Sequence, residues 1–290
     1  MAEVCTQGLD TGFVSLGYAK VAVLGVVQGI TELLPISSTA HMRIVPAFLG
    51  WRDPGSAFSA AMQLAALAAV IGFFWKDIRD IVLGSVNAVV RRDFGNWHFR
   101  FAMWVALATV PIVIGGLLLK PLLNQCDSPL RTLPVIGISC IVMAVLLAIG
   151  ESYCRHDRTF EQVTLTDAMV VGIAQTGALI PGISRSGSSL TAAFFRDLKR
   201  EDAARFSYIL GIPAIAGAGL KELHELWKAQ LPLDGWLILA FGLVIASLSA
   251  FLAIWSLLRI LERFSSWPFV VYRGALGVFL LVASVAGWLA

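Results

Sequence analysis

Long apolar runs separated by short charged segments set the pattern of this chain. Six of them, roughly Phe58–Trp75, Phe101–Leu119, Leu133–Gly150, Ala203–Leu220, Trp236–Leu258 and Phe269–Leu289, come close to the ~20 residues a bilayer-crossing helix needs. They show no alternation of the barrel kind, so the expected spans are helices. Two further runs are interrupted. Val21–Leu34 stops at Pro35 and gives way to Ser37, Ser38, Thr39 and His41; Ala168–Ile180 stops at Pro181 and gives way to a turn of Gly, Ser and Arg. Each arm reads as too short to cross, and neither polar break can face lipid. Both predict re-entrant helical hairpins buried in protein. The expectation is an all-α integral membrane protein, one polytopic domain over residues 1–290, with about six transmembrane helices and two re-entrant hairpins.

The two interrupted regions resemble each other. A shift of 147 positions lays Gly25-Val26-Val27-Gln28 on Gly172-Ile173-Ala174-Gln175 and Ser37-Ser38-Thr39 on Ser184-Arg185-Ser186, and a shift of 148 lays Phe58-Ser59 on Phe206-Ser207. This points to an internal duplication, approximately residues 17–150 and 167–290. With three crossings in each half, the second half is inverted relative to the first. The hairpins then enter from opposite faces and meet near the midplane.

Composition agrees with the pattern. Hydrophobic residues make up 58% of the chain and charged residues 14%, against about 25% charged in soluble domains. A net charge of +3, spread between spans, gives no patch for nucleic acid. The larger set of basic residues, including Arg91, Arg92, Arg155, Arg158, Arg196, Arg200, Arg263 and Arg273, is assigned to the cytoplasmic side by the positive-inside rule. The smaller set (Lys20, Arg43, Arg52, Lys120, Arg131, Lys221, Lys228) is assigned to the opposite side, with both termini and the mouth of the first hairpin. Glu3 and Asp10, with no basic n-region, argue against a cleaved signal peptide. Cys5, Cys126, Cys140 and Cys154 form no C-x-x-C pair, and neither a disulfide framework nor a zinc site is expected.

Chemistry concentrates at the two breaks. An arginine at membrane depth is costly enough to be a functional-site hypothesis by default, and Arg185 stands between Ser184 and Ser186 with Gly187, Ser188 and Ser189 following. Hydroxyls, backbone N–H groups and a guanidinium at a helix start are the parts of a phosphate cradle. At the other break, Gln28 and Glu32 share a helix face at i, i+4, and Ser37, Ser38, Thr39 and His41 follow within nine residues of Glu32. A carboxylate, a histidine and hydroxyls beside a phosphate cradle suggest phosphoryl transfer. Glu32 can hold a divalent cation, His41 can move a proton, a serine or a water can attack, and Arg185 can stabilise the charge on phosphorus. The blander alternative is that Ser37, Thr39, Ser188 and Ser189 cap helix starts and that Gln28 and Gln175 bond between helices.

The stretches Gln28-Gly29-Ile30-Thr31-Glu32-Leu33-Leu34-Pro35-Ile36-Ser37-Ser38-Thr39-Ala40-His41 and Pro181 to Ser189 resemble the two signatures of the undecaprenyl-diphosphate phosphatases, the bacitracin-resistance family. The resemblance implies removal of the terminal phosphate from a C55 polyprenyl diphosphate in the bacterial inner membrane, which recycles the lipid carrier for peptidoglycan and other envelope polymers. It also implies a divalent cation, magnesium or calcium, an active site open to the extracytoplasmic side, and bacitracin as a competitor for the lipid. By motif position, Glu32 matches the metal-associated glutamate, Ser38 the nucleophile, His41 the acid/base and Arg185 the phosphate-binding arginine. Ser37, Thr39, Ser184, Ser186 and Gly187 would line the phosphate, with Gln28, Gln175 and Ser189 in support. Gln28 leaves the motif with one carboxylate fewer, and Ala40 and Ser189 stand where Gly and Thr are usual.

The competing reading is a transporter or flippase of a polyprenyl phosphate, since inverted repeats with broken helices are a transporter architecture. A pure carrier needs the cradle but not an acid/base pair beside it. Glycines in the spans (Gly115, Gly116, Gly217, Gly219) allow close packing within or between subunits, which leaves a homodimer open.

Overall fold

A computed structural model describes residues 11–123, 130 and 132–288, and helices form where the apolar runs predict them. Cys5, Cys126, Arg131 and the terminal Leu289 of the last expected span lie outside the described residues. The helices are α1 (Gly17–Leu33), α2 (Ser38–Phe48), α3 (Ser56–Phe73), α4 (Trp75–Arg91), α5 (Trp97–Leu123), α6 (Leu133–Tyr153), α7 (Leu165–Thr176), α8 (Arg185–Phe194), α9 (Arg200–Lys228), α10 (Leu233–Arg263) and α11 (Trp267–Val285). Among the described residues there is no β-sheet. The six expected spans correspond to α3, α5, α6, α9, α10 and α11, and the chain is a multi-pass membrane protein.

The first hairpin arm is longer than expected. A short 3-10 turn, Gly12–Leu16, precedes α1, and together they give 22 residues that are long and apolar enough to span. The sequence window starting at Val21 missed the first turn because Gly17, Tyr18 and Lys20 dilute its hydropathy. The second arm, α7, keeps the expected shortness at 12 residues. At Phe74 the chain bends by 79° from α3 into α4. α4 exposes Val82, Leu83, Val86, Val89 and Val90 alongside charged residues, the make-up of a helix that lies along a membrane surface.

Both hairpins break for the same reason. A residue before proline is pushed out of the α region, and Leu34 (φ −70°, ψ 146°) before Pro35 and Ile180 (φ −88°, ψ 119°) before Pro181 are extended. Each break then restarts a helix through a serine with positive φ. Ser37 (φ 74°) accepts from the Ala40 N–H and Ser184 (φ 69°) from the Gly187 N–H, so each caps the new helix.

Small residues let the arms seat deeply. Gly25 and Gly29 of α1 lie against the α10 backbone at Gly242 and Ala246, and Gly172 of α7 lies against α5 at Ala108. α6 and α11 meet at Gly137 and Gly277. These pairings bring the two breaks together at the centre of the helix packing.

Candidate active site

The site is assembled from the ends of α1 and α7, the starts of α2 and α8, and one stretch of α11. Glu32 closes the last turn of α1 and is 6% exposed. Its Oε2 accepts from Gln28 Nε2 at 3.0 Å and from Ser38 Oγ at 2.6 Å, so a carboxylate is bonded directly to the hydroxyl that opens α2. The Oε1 atom lies 3.6 Å from Nη2 of Arg185, too far for a hydrogen bond.

Arg185, the first residue of α8, is the most telling member. Its Nε, Nη1 and Nη2 are all buried without a hydrogen-bond partner. Unpartnered buried donors cost about 1–3 kcal/mol each, more for charged groups. The chain makes room for this group deliberately: a Cβ on Gly211 of α9 would collide with Nη1. A buried guanidinium with no hydrogen-bond partner on its donors is a place for an anion.

The remaining serines divide between glue and cap. Ser186 Oγ bonds the carbonyls of Glu32 and Leu34 at 3.0 and 3.1 Å, tying the second turn to the first. Ser188 Oγ donates to the Arg185 carbonyl. Ser37 and Ser184 serve as the caps already described, and the N–H of Gly187 is taken by Ser184 Oγ. Ser189 is fully buried, and its Oγ has no partner. Thr39 lines a cavity of about 220 Å³ together with Arg43, Asp53, Gln63, Leu179 and Pro181. Gln175 stands apart from this cluster, donating from Nε2 to the Ala108 carbonyl at 3.2 Å. His41 stands near it but does not bond Ser38; its partners are the Ser37 carbonyl and Tyr272 Oη.

Arg273 was placed with the cytoplasmic charges by the sequence, and the structure corrects this. It is fully buried, donating from Nη1 to Pro35 O at 2.9 Å and from Nη2 to Gly182 O and Ile183 O at 2.6 Å. Nη1 also fills the space that a side chain on Gly187 would need. One arginine thus clamps the carbonyl ends of both turns. The signal that would have found it is the rule applied to Arg185: a lone arginine inside an apolar run. Tyr208 was also missed; its Oη donates to the Leu33 carbonyl at 2.9 Å beside Arg185.

At one end of the bundle, Asp167 near the start of α7 accepts from Arg158 and Arg196, both at 2.6 Å, and from Thr164. Burial alone would raise its pKa, but the two guanidinium groups and Thr164 hold it well below the usual carboxylate range. This network anchors the second arm.

Fold and site together define a polytopic membrane protein in which two broken helices present a carboxylate–serine pair to an arginine whose guanidinium lies within ion-pair distance of the carboxylate and makes no hydrogen bond. Residues 21–279 match the sequence profile described as Bacitracin resistance protein BacA, and the chain belongs to that family. It is 66% identical over 263 residues to a protein of Mesorhizobium japonicum named undecaprenyl-diphosphatase 2, an alignment covering 91% of this chain and 100% of that protein. It is 48% identical over 268 residues to the undecaprenyl-diphosphatase of Synechococcus elongatus, covering 92% and 93%. The undecaprenyl-diphosphatase of Trichormus variabilis is 44% identical over 277 residues, covering 95% and 87%.

Proposed function

We propose that this protein hydrolyses undecaprenyl diphosphate to undecaprenyl phosphate and inorganic phosphate, returning the lipid carrier to envelope polymer synthesis. The observation that carries the reading is the Ser38–Glu32 hydrogen bond of 2.6 Å beside a buried Arg185 whose donors are all open. Ser38 is the nucleophile and Glu32 its base. As Ser38 Oγ bonds the terminal phosphorus, its proton passes to Glu32 Oε2, and the lipid phosphate leaves with the electrons of the anhydride bond. Arg185 donates to the phosphoryl oxygens where charge builds.

The cation implied by the family resemblance, magnesium or calcium, fits this site only with help from the substrate. Among the described residues, no group of three His, Cys, Asp or Glu is placed to hold a metal. Glu32 Oε1, which makes no hydrogen bond, can supply one oxygen ligand, with diphosphate oxygens and waters supplying the others, a pattern magnesium accepts. Bound there, the ion would neutralise diphosphate charge.

The site opens to the extracytoplasmic side of the bacterial inner membrane. Support comes from the charge distribution: Arg155, Arg158, Arg196, Lys199 and Arg200 gather where α6 ends and α7 and α9 begin. Bacitracin competes at the level of the lipid substrate. The duplication of residues 17–150 in 167–290 in inverted form is supported by the matching breaks, with α1 packed on α10 as α7 packs on α5.

The test is inorganic phosphate release from a polyprenyl diphosphate by purified protein, with magnesium or calcium and then with chelator. Release that the chelator suppresses is expected. Binding of the lipid without release would overturn the phosphatase reading and favour a carrier.

A further inference from the structure

Neither nitrogen of the His41 ring is free. Nδ1 lies 2.7 Å from the Ser37 carbonyl oxygen. A carbonyl only accepts, so Nδ1 carries a proton, and in the neutral ring Nε2 is the acceptor. Nε2 in turn lies 2.6 Å from Tyr272 Oη, which fixes the phenol as the donor. The two rings are nearly parallel, at 10°. Ser38, three residues before His41, donates its hydrogen bond to Glu32 and not to this imidazole. His41 is 9% exposed and Tyr272 46%, so of the two hydrogen-bonded residues Tyr272 is the one open to its surroundings. Tyr272 is also held firmly, because the neighbouring Arg273 bonds the carbonyls of both turns and sets the register of α11.

We propose that His41 acts through Tyr272, the pair forming a proton relay for the water-consuming half of the reaction; this rests on the phosphatase reading above. In that half, a water oxygen bonds the phosphorus held on Ser38. The bond from phosphorus to Ser38 Oγ breaks with its electron pair, and Oγ recovers its proton from Glu32. The proton lost by the water passes to Tyr272 Oη as the phenol proton passes to His41 Nε2. The resulting imidazolium donates to Ser37 O and to Tyr272, and it returns its proton to the released phosphate along the same path.

Tyr272→Phe keeps the ring and removes one oxygen. Its kcat for phosphate release from a polyprenyl diphosphate is expected to fall about 10²-fold, with KM changed by less than about threefold. The His41→Ala/Tyr272→Phe double variant is expected to be no slower than His41→Ala alone. Wild-type kcat in Tyr272→Phe, or losses that multiply in the double variant, overturns the relay. A raised KM and lowered thermal midpoint at unchanged kcat indicates packing alone and overturns it too. Absence of phosphate release by the wild-type protein overturns the phosphatase reading instead, so the two failures are separable.

Discussion

The two turns of this protein share a backbone plan and divide the chemistry. Each follows an X-Pro step and restarts a helix through a serine at positive φ whose hydroxyl accepts from the N–H three residues on. On that common frame the first turn places an acid and a hydroxyl, Glu32 and Ser38, while the second places a cation, Arg185. The glutamines that match under the 147-residue shift differ as well: Gln28 bonds Glu32, whereas Gln175 bonds the backbone of α5. Opposite charges on opposite turns make a complete site only where the turns meet. Ser186 and Arg273 secure that meeting by binding backbone carbonyls, which leaves the reactive side chains free of structural duty.

Both arms seat through glycine contacts, but the shorter one has an added fastening. α1 is long and seated against α10 through glycine contacts. The shorter α7 is tied at its start by Asp167 to Arg158 and Arg196. A short arm buries less surface, and a charged latch makes up part of the difference.

Substitutions can break this comparison at graded strengths. Arg185→Ala removes the sole charge of the second turn and should lower phosphate release by about 10³-fold or more, as for other arginines that stabilise transferring phosphoryl groups. Arg185→Lys should recover little of it, because an ammonium cannot reproduce the planar fork. Ser38→Ala removes the hydroxyl of the first turn and should cost about 10²- to 10³-fold in kcat with a smaller change in KM. Preservation of kcat would favour attack by a water rather than by Ser38.

Asp167→Asn tests the latch alone. The folded protein holds this carboxyl below its ordinary range, so the stabilisation is present at neutral pH and lost as pH falls through and below the ordinary carboxylate value. The variant should therefore melt below the wild type at pH 7, by the equivalent of about 2 kcal/mol, and the gap should narrow as the buffer is made acidic. A gap that widens toward acid would contradict the ion-pair account. Smallest of all should be Ser184→Gly, which loses a cap but relieves a positive φ. The two effects, each on the order of 1 kcal/mol, oppose one another, and thermal scanning should show a shift of only a few degrees.

Much of this was legible beforehand, and the exceptions have physical reasons. Proline next to a polar cluster inside an apolar run marked both breaks, and the hydrocarbon surroundings of Arg185 marked it as a buried arginine that calls for a functional explanation. The Ser38–Glu32 bond was not legible, because the turn at Ile36 and Ser37 folds back by an angle that spacing does not encode. Arg273 was hidden by bookkeeping of charge by loop. It lies near the start of the last span, and its neighbours in sequence do not reveal that three carbonyls from two distant turns converge on it. Tyr272 lacked any signal, since a tyrosine near a span end usually marks the membrane interface.

The central claim is that the two turns form one catalytic site, and the most direct measurement is the rate of phosphate release by the Ser38→Ala/Arg185→Ala double variant beside its parents. Groups that serve a single transition state are strongly non-additive. The double variant should therefore be about as slow as the slower single variant. Losses that multiply would mean that the turns act independently and would contradict the account.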